Sequence, residues 1–358
     1  MNNPTSKYLN QFNKKKKKFD KFFLNFTKDL KYFKSPEYHF RTRADFGVHY
    51  DNSIEFTMIK NGKKYYVEKL EICDIIINDV LQLIKDELNL NPLLREKIFQ
   101  LNIQVSRSKQ ILVSMIYHKQ LDSNWVEEAK KISKKLDISI VGRSRKQKIV
   151  IGSDNINEVY KTKKNEINID LYEQCFSQPN PHICDEMLSW VESCTESQSN
   201  ITELHSGQGT FTILFSKLFT NVLSTENSRP SVVALKKNLE RNTIKNVSFA
   251  RMSGLETLEG LLNKRQFRRL KNVNLSLFQG DFLFLDPPRS GIDLDSLELI
   301  NKNKFKKIIY ISCGFDALLS NLKDLSNNYV IKRAAMFDQF PYTDHIESGV
   351  LLELKSII

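Results

Sequence analysis

Hydrophobic positions follow three successive rhythms along the chain. In the first, Phe12, Phe19, Phe22, Phe23, Phe26 and Leu30 recur at helical spacing around a lysine run at 14–18. This predicts an amphipathic helix with a lysine-rich outer face. Such a face is either solvated while the helix packs on the body, or turned toward phosphates, and the pattern leaves both open. From about 36 to 176 short segments take over. Residues 40–50 and 54–59 alternate, and Asn61-Gly62 turns the chain into 64–67, a hairpin signal. Helices are predicted over 74–88, capped by Asp74, and over 122–136, where Asp122-Ser123 supplies the cap. Strands are predicted at 98–105 and 110–118, and near 137–142, 147–152 and 167–172. That order reads as an α+β unit with antiparallel sheet. The charge run at 161–165 is the softest joint before Gln178.

Beyond 178 the rhythm becomes strand, helix, strand, helix. Strands are predicted at 200–204, 221–225, 247–251, 282–285 and 307–312 with helices between them, then at 329–336 and 347–354. The alternation predicts an α/β fold, a doubly wound parallel sheet ending in an antiparallel hairpin. In such sheets ligands sit beyond the carboxyl ends of the strands. Two domains are therefore expected, residues 1–176 and 177–358.

Composition narrows the class. A length of 358 residues suits about two domains at roughly 100–200 residues each. Lys and Arg number 54 against 42 Asp and Glu, a net +12 that favours a polyanionic partner, although richness in Lys, Asn and Ile also follows from AT-rich coding. Cys73, Cys175, Cys184, Cys194 and Cys313 form no C-x-x-C pair, so neither a disulfide scaffold, a zinc finger nor an iron–sulfur cluster is expected, and no metal. No apolar run approaches the ~20 residues of a bilayer span. The N-terminus lacks a secretory core, and Asp20 and Asp29 argue against a transit peptide. A cytoplasmic protein without membrane contact is expected.

Candidate chemistry gathers at the predicted strand ends. The first strand of the C-terminal half runs into E-L-H-S-G-Q-G-T at 203–210, where Gly207 and Gly209 allow close backbone approach to a ligand. Glu226, 19 residues beyond Gly207, ends the next strand, where a carboxylate can hold two ribose hydroxyls. Thr212 stands where a third glycine would complete a dinucleotide fingerprint, which favours S-adenosylmethionine over a dinucleotide. Asp286 opens a rigid D-P-P-R-S-G at the end of the fourth strand, and Arg289 stands where amino-group methyltransferases place an aromatic. Cys313 ends the fifth strand. A lone cysteine is usually a small buried hydrophobe, but at this edge, ahead of a helix N-terminus, it is expected to have a lowered pKa and act as a nucleophile. Glu347, among Phe340, Tyr342 and His345, is expected to have a raised pKa and act as a base.

Taken in order, Q-P-N at 178–180, the glycine turn, Glu226, D-P-P-R-S-G, I-S-C and F-D-Q-F-P-Y-T-D-H-I-E-S-G-V-L-L resemble the tRNA (uracil-5-)-methyltransferase family. The likeness continues upstream through S-P-E-Y-H-F-R-T-R-A-D-F, N-P-L-L-R-E-K-I-F-Q, Y-H-K-Q-L-D and V-G-R-S-R-K-Q-K-I. It implies an N-terminal α+β RNA-binding domain followed by a Rossmann-like methyltransferase domain. It further implies methylation of uridine C5 in the tRNA T-loop, at position 54, giving 5-methyluridine. S-adenosyl-L-methionine would be held by Gln178, His205, Gly207, Gly209, Thr210, Glu226 and Asp286. Cys313 stands at the family's nucleophile and Glu347 at its base. Phe99 matches an aromatic that wedges into the T-loop, and Arg41, Arg43, Arg143, Arg145, Lys146 and Lys148 form the candidate RNA cradle. The expected partner is the tRNA T-arm or another RNA with a similar hairpin, bound by a monomer.

Two alternatives stay open: methylation of 23S rRNA uridine, and an RNA-binding or RNA-folding protein with weak or lost methyl transfer. The related rRNA enzymes carry a TRAM barrel or a cysteine cluster, and neither pattern occurs here. Departures from the family pattern are His205 and Thr210 for a tyrosine and an asparagine, Gly314-Phe315 for Asn-Pro, and Gly47 for an arginine.

Overall fold

The computed structural model describes residues 4–60, 62–195 and 199–356. Asn61 of the expected turn lies outside them; Gly62 follows with φ +73. Two compact units emerge, and the chain passes between them more than once. One holds the described residues up to Ser35, then Tyr160–Ile169, and everything from His182 onward; the other holds Pro36–Val159 and Asp170–Pro181. The expected division at 176/177 is corrected accordingly.

The reason lies at the N-terminus. Helix α1 (Pro4–Phe23) buries Phe12, Phe19 and Phe23 in the core of the first unit. Strand β1 (Leu30–Phe33) then pairs in parallel with the strand at 329–337, Leu30 opposite Ala334. Leu30 thus starts a strand and does not extend the helix. Within the lysine run, Lys14, Lys15, Lys16 and Lys18 each pair with an aspartate of this unit, namely Asp344, Asp338, Asp20 and Asp316. The helix packs on the body, with Lys14, Lys17 and Lys18 exposed on its outer side.

The α+β unit contains β2 (Arg43–Tyr50), β3 (Ile54–Lys60), β4 (Lys63–Val67), α2 (Ile75–Leu90), α3 (Pro92–Arg95), β5 (Ile98–Val105), β6 (Ile111–Tyr117), α4 (Ser123–Leu136), β7 (Ser139–Ser144) and β8 (Gln147–Ile151). The strands form one sheet in the order β4-β3-β2-β5-β6-β7-β8. Both predicted caps are present: Asp74 accepts from the Ile76 N–H at 2.8 Å and Asp122 from the Trp125 N–H at 2.9 Å. One expectation fails. β6 and β7 are parallel, because α4 carries the chain back across the sheet. β9 (Asn155–Lys161), which the pattern did not suggest, pairs with β10 (Glu166–Tyr172).

The doubly wound unit continues with α5 (Pro181–Ser193), β11 (Asn200–Leu204), α6 (Thr210–Leu218), β12 (Asn221–Glu226), α7 (Arg229–Arg241), β13 (Val247–Arg251), α8 (Gly254–Leu261), β14 (Phe282–Leu285), α9 (Leu294–Asn303), β15 (Lys307–Ser312), α10 (Phe315–Leu325), β16 (Tyr329–Phe337) and β17 (Glu347–Leu354). Its sheet runs β1-β16-β17-β15-β14-β11-β12-β13, a Rossmann-like arrangement in which β17 alone is antiparallel to its neighbours. The central strands β14 and β15 are nearly continuous apolar runs, as strands covered on both faces require. All parallel strands therefore end at one edge, and β17 begins there.

Phe19 is fully buried and meets Phe23, Tyr32 and Phe315 with ring centroids 4.4–6.2 Å apart. Phe19→Ala is expected to cost about 3–5 kcal/mol, read as a lower denaturation midpoint of this unit; an unchanged midpoint would show that α1 is not part of its core.

Candidate active site

The glycine turn between β11 and α6 is built from left-handed backbone. His205, Gly207 and Gly209 have φ of 62, 56 and 102, a region that suits glycine and is tolerated by histidine. A Cβ on Gly209 would stand 2.6 Å from the Leu235 side chain, so the turn packs against α7 only with glycine there. Thr210 is the first residue of α6. Glu226 closes this arrangement from the tip of β12. One carboxylate oxygen accepts from the Gly207 N–H at 3.0 Å and the other from the Ser228 N–H at 2.7 Å. Both oxygens keep lone pairs for further donors.

His205 also lines a cavity of about 310 Å³ with Leu204, Gly254, Pro288 and Ile292. Burial lowers its pKa, which keeps the ring neutral. Beneath the turn lies a residue that sequence reasoning passed over. Glu203 is buried and accepts from Thr212 Oγ1 at 2.6 Å and Ser224 Oγ at 2.5 Å, while its other oxygen has no partner. Burial pushes its carboxyl up to about 8. A protonated Glu203 thus ties β11, α6 and β12 together under the turn; a lone acid within an apolar strand was the available signal.

The neighbouring strands carry the reactive groups. β15 and β17 are paired up to Ser312 opposite Ser348, and Cys313 and Glu347 are the next residues of each strand toward the edge. Glu347 is also opposite Phe337 at the end of β16. Asp286 follows Leu285, which pairs with Tyr310. Cys313, Glu347 and Asp286 act on one another electrostatically. Burial pushes the Cys313 thiol up to about 11, with Glu347 and then Asp286 adding to the rise and Arg289 opposing it. Burial holds the Glu347 carboxyl well above the usual range, Asp286 adds to this, and Arg289 again opposes. Asp286 retains some exposure, yet loss of surrounding water raises its carboxyl to about 7.

The raised Glu347 agrees with expectation. The lowered thiol does not: the helix N-terminus beside Cys313 is outweighed by burial and two carboxyl groups. Gly314 explains one departure from the family pattern. A Cβ there would overlap the Arg289 carbonyl oxygen, so S-C-G-F lets the D-P-P-R loop lie directly against the turn that carries Cys313.

The remaining predicted residues belong to the α+β unit. Gln178 lies in its 170–181 segment, outside the unit that gathers the others. Three of the basic residues are held within their own unit. Arg43 donates to the Cys175 carbonyl at 2.6 Å, Arg143 grips Glu173 through two bonds of 2.8 and 2.7 Å, and Lys148 meets Asp154 at 2.5 Å. Arg41 donates through Nε to the Arg43 carbonyl at 2.7 Å. Phe99 and the exposed Arg145 line one cavity of about 470 Å³, together with His118, Lys119 and Gln120. Phe99 stacks on His118 with centroids 3.9 Å apart and planes within 10°. Gly47 faces the Thr57 hydroxyl, which would meet a Cβ at 2.7 Å. Among the described residues no cluster of His, Cys, Asp and Glu suits a metal, and no helix is long and apolar enough to cross a membrane.

Residues 7–355 match the family model described as tRNA (Uracil-5-)-methyltransferase. The chain is 41% identical over 335 residues to the tRNA/tmRNA (uracil-C(5))-methyltransferase of Acinetobacter baylyi, covering 91% of this chain and 92% of the relative. It is 39% identical over 339 residues to the enzyme of the same name from Vibrio vulnificus strain YJ016, covering 92% and 91%. Among solved structures it resembles the Pyrococcus abyssi tRNA (uracil-54, C5)-methyltransferase in complex with S-adenosyl-L-homocysteine. That match has a TM-score of 0.73 at 18% identity, covers 96% of this chain and 83% of that one, and speaks for the fold.

The raised thiol has a direct consequence. Cys313 is half-buried while the other four cysteines are buried, so alkylation reports on it. With a pKa near 11 the thiolate fraction grows about tenfold per pH unit across neutral and mildly alkaline pH. Iodoacetamide modification of Cys313, followed by mass spectrometry, should still be accelerating at pH ~10; a plateau near the ordinary thiol value of ~8.5 would contradict the assigned environment.

Proposed function

Because this chain belongs to the tRNA (uracil-5-)-methyltransferase family, we propose that it methylates C5 of the T-loop uridine at position 54 through a Cys313–C6 bond, with Glu347 as the base. At the coarser level it is an S-adenosylmethionine-dependent RNA methyltransferase acting on uracil C5 in tRNA and tmRNA. The observation that carries the finer reading is the pairing of β15 with β17, which makes Cys313 and Glu347 neighbours at one sheet edge.

The residues at that edge fit the cofactor. The glycine turn lets a ligand approach the backbone, and Glu226 keeps lone pairs on a carboxylate fixed by two N–H groups. The cavity beside His205 combines Leu204, Leu255, Pro288 and Ile292, which suit the face of a purine, with Ser253, Ser290, Asp293 and Ser296, which suit its polar edge. When bound, S-adenosylmethionine supplies an electrophilic methyl group. Glu226 would hold its ribose hydroxyls, with Gly207, Gly209, Thr210 and His205 around them.

C5 of uracil is too weak a nucleophile to take a methyl group unaided. Addition of the Cys313 sulfur to C6 turns the C5=C6 pair into enolate density at C5, which then forms the new carbon–carbon bond. Glu347 next takes the proton left on C5. The C–H pair restores C5=C6, and the sulfur departs with the C6–S pair. The Cys313 thiol, pushed up to about 11, must lose its proton before the sulfur adds to C6, and Glu347 must be ionised to take the C5 proton. The charge of Arg289 favours the ionised form of both. Asp286, with its pKa of about 7, is available near neutrality as acceptor or as donor to the ring edge.

A flipped pyrimidine has to leave its stack at a cost of a few kcal/mol. The Phe99–His118 pair offers rings on which an unstacked base can rest, worth about 1–3 kcal/mol per base. The exposed Arg145 supplies a cation beside it, while Lys119 is paired with Glu96 at 2.8 Å.

The test is transfer of labelled methyl to an unmodified T-arm hairpin. Cys313→Ala should reduce it to background, since no other route to the enolate exists; turnover at the wild-type rate would defeat the covalent reading. Glu347→Gln should lower turnover by about 10²–10⁴-fold and leave a protein–RNA adduct that survives denaturation. A Glu347→Gln protein that migrates as free chain would reject the assignment of the base.

A further inference from the structure

Helix α1 touches both elements that carry the proposed reactive groups. Its first half meets the 338–346 loop, which joins β16 to β17 and delivers Glu347. Lys15 Nζ donates to Asp338 Oδ1 at 2.7 Å and to the Phe340 carbonyl at 2.8 Å. Gln11 Nε2, one turn earlier, donates to the other Asp338 oxygen at 3.0 Å. Tyr8 lies edge-on to Tyr342, with centroids 6.0 Å apart. Its second half meets the start of α10, two residues after Cys313. Phe19 and Phe23 lie 6.2 and 6.3 Å from the Phe315 ring, and Lys18 sits 5.0 Å above it.

The Lys15–Asp338 pair is almost fully enclosed, with side chains 3% and 0% exposed. Burying two charges costs much of what their attraction returns, so such a pair adds little net stability compared with an apolar contact of the same size. What it adds is definition of place. A buried ammonium satisfied by one carboxylate and one carbonyl tolerates no slip of the loop. Asp338 is the residue after Phe337, the strand partner of Glu347, and its own N–H donates to Phe33 of β1 at 3.0 Å.

We infer that α1 is a clasp and that Lys15 is a positioning residue, holding the 338–346 loop through Asp338 so that the Glu347 carboxyl stands at C5 of the methylated adduct. This rests on the reading given under Proposed function. The step it serves is elimination: Glu347 takes the C5 proton, the C–H electrons reform C5=C6, and the C6–S electrons leave with Cys313. Addition and methyl transfer do not use Glu347, so loosening the loop slows the last step more than the first two.

The experiment uses the full chain with S-adenosylmethionine and a T-arm hairpin, comparing Lys15→Met, the milder Gln11→Ala and Glu347→Gln. Lys15→Met should lower kcat on the order of 10–100-fold with KM for the hairpin falling alongside it, because methyl transfer precedes the slowed step and kcat/KM is left nearly unchanged, and should accumulate methylated, denaturation-resistant adduct. Gln11→Ala, which orphans no buried charge, should show the same adduct at a lower level. Wild-type adduct levels in both variants, while Glu347→Gln traps adduct, overturn the clasp and leave the chemistry standing. A slower Lys15→Met protein without adduct marks a merely structural contact and overturns it too. If Lys15→Met does not fold, Gln11→Ala decides: adduct above wild type supports the clasp, and wild-type behaviour overturns it. Absence of adduct from Glu347→Gln removes the reading beneath the clasp, and the clasp with it.

Discussion

The direction of a single strand governs this site. In a sheet of parallel strands every carboxyl end reaches the same edge and every amino end the opposite one. β17 enters between β15 and β16 in the opposite sense, so its first residue arrives where β15 delivers its last. A thiol and a carboxyl group from segments more than thirty residues apart thereby become neighbours. The glycine turn after β11, Glu226 at the tip of β12 and Asp286 after β14 reach that same edge by the ordinary logic of parallel neighbours. Had β17 been parallel, Glu347 would stand at the far side of the sheet.

Crowding at the edge sets its electrostatics. Glu347 and Asp286 make ionisation of the Cys313 thiol harder, and Asp286 does the same to Glu347. Burial raises the thiol and the Glu347 carboxyl above their ordinary ranges, with Arg289 the cation that draws both toward ionisation. Positive charge brought to this edge favours the ionised forms of all three groups. Proton occupancy and ligand occupancy are therefore linked here by plain Coulombic interaction. Glu203 follows the same rule in a structural role, a protonated acid tying two strands and a helix beneath the glycine turn.

Departures from the family pattern become intelligible as packing. Gly314 allows the Asp-Pro-Pro loop to lie on the turn that carries Cys313, and Gly47 leaves room for the Thr57 hydroxyl. The lysine run, which suggests a polyanion when read alone, is largely neutralised by aspartates of its own unit. Arg43, Arg143 and Lys148 likewise have partners within the α+β unit. Phe99, His118, Lys119 and Arg145 gather at one cavity, with Lys119 held by Glu96.

Strands 200–204, 247–251, 282–285, 307–312 and 347–354 were legible residue for residue, as were the caps at Asp74 and Asp122, because alternation and capping are local properties. Cys313, Glu347 and Glu226 were legible as residue types at strand ends. β1 was not, since four residues carry no periodicity of their own and its partner is some three hundred positions away. Neither was the parallel step from β6 to β7, nor which lysine of five would be buried. The direction of the Cys313 shift was misjudged for a related reason: a helix N-terminus can be read from sequence, whereas the carboxyl groups facing the thiol cannot. By itself the sequence determined the kinds of elements and the chemical groups at their ends. Only the tertiary structure decided which groups are neighbours and which keep their protons, because strand order, burial and charge proximity arise from contacts between residues far apart in the chain.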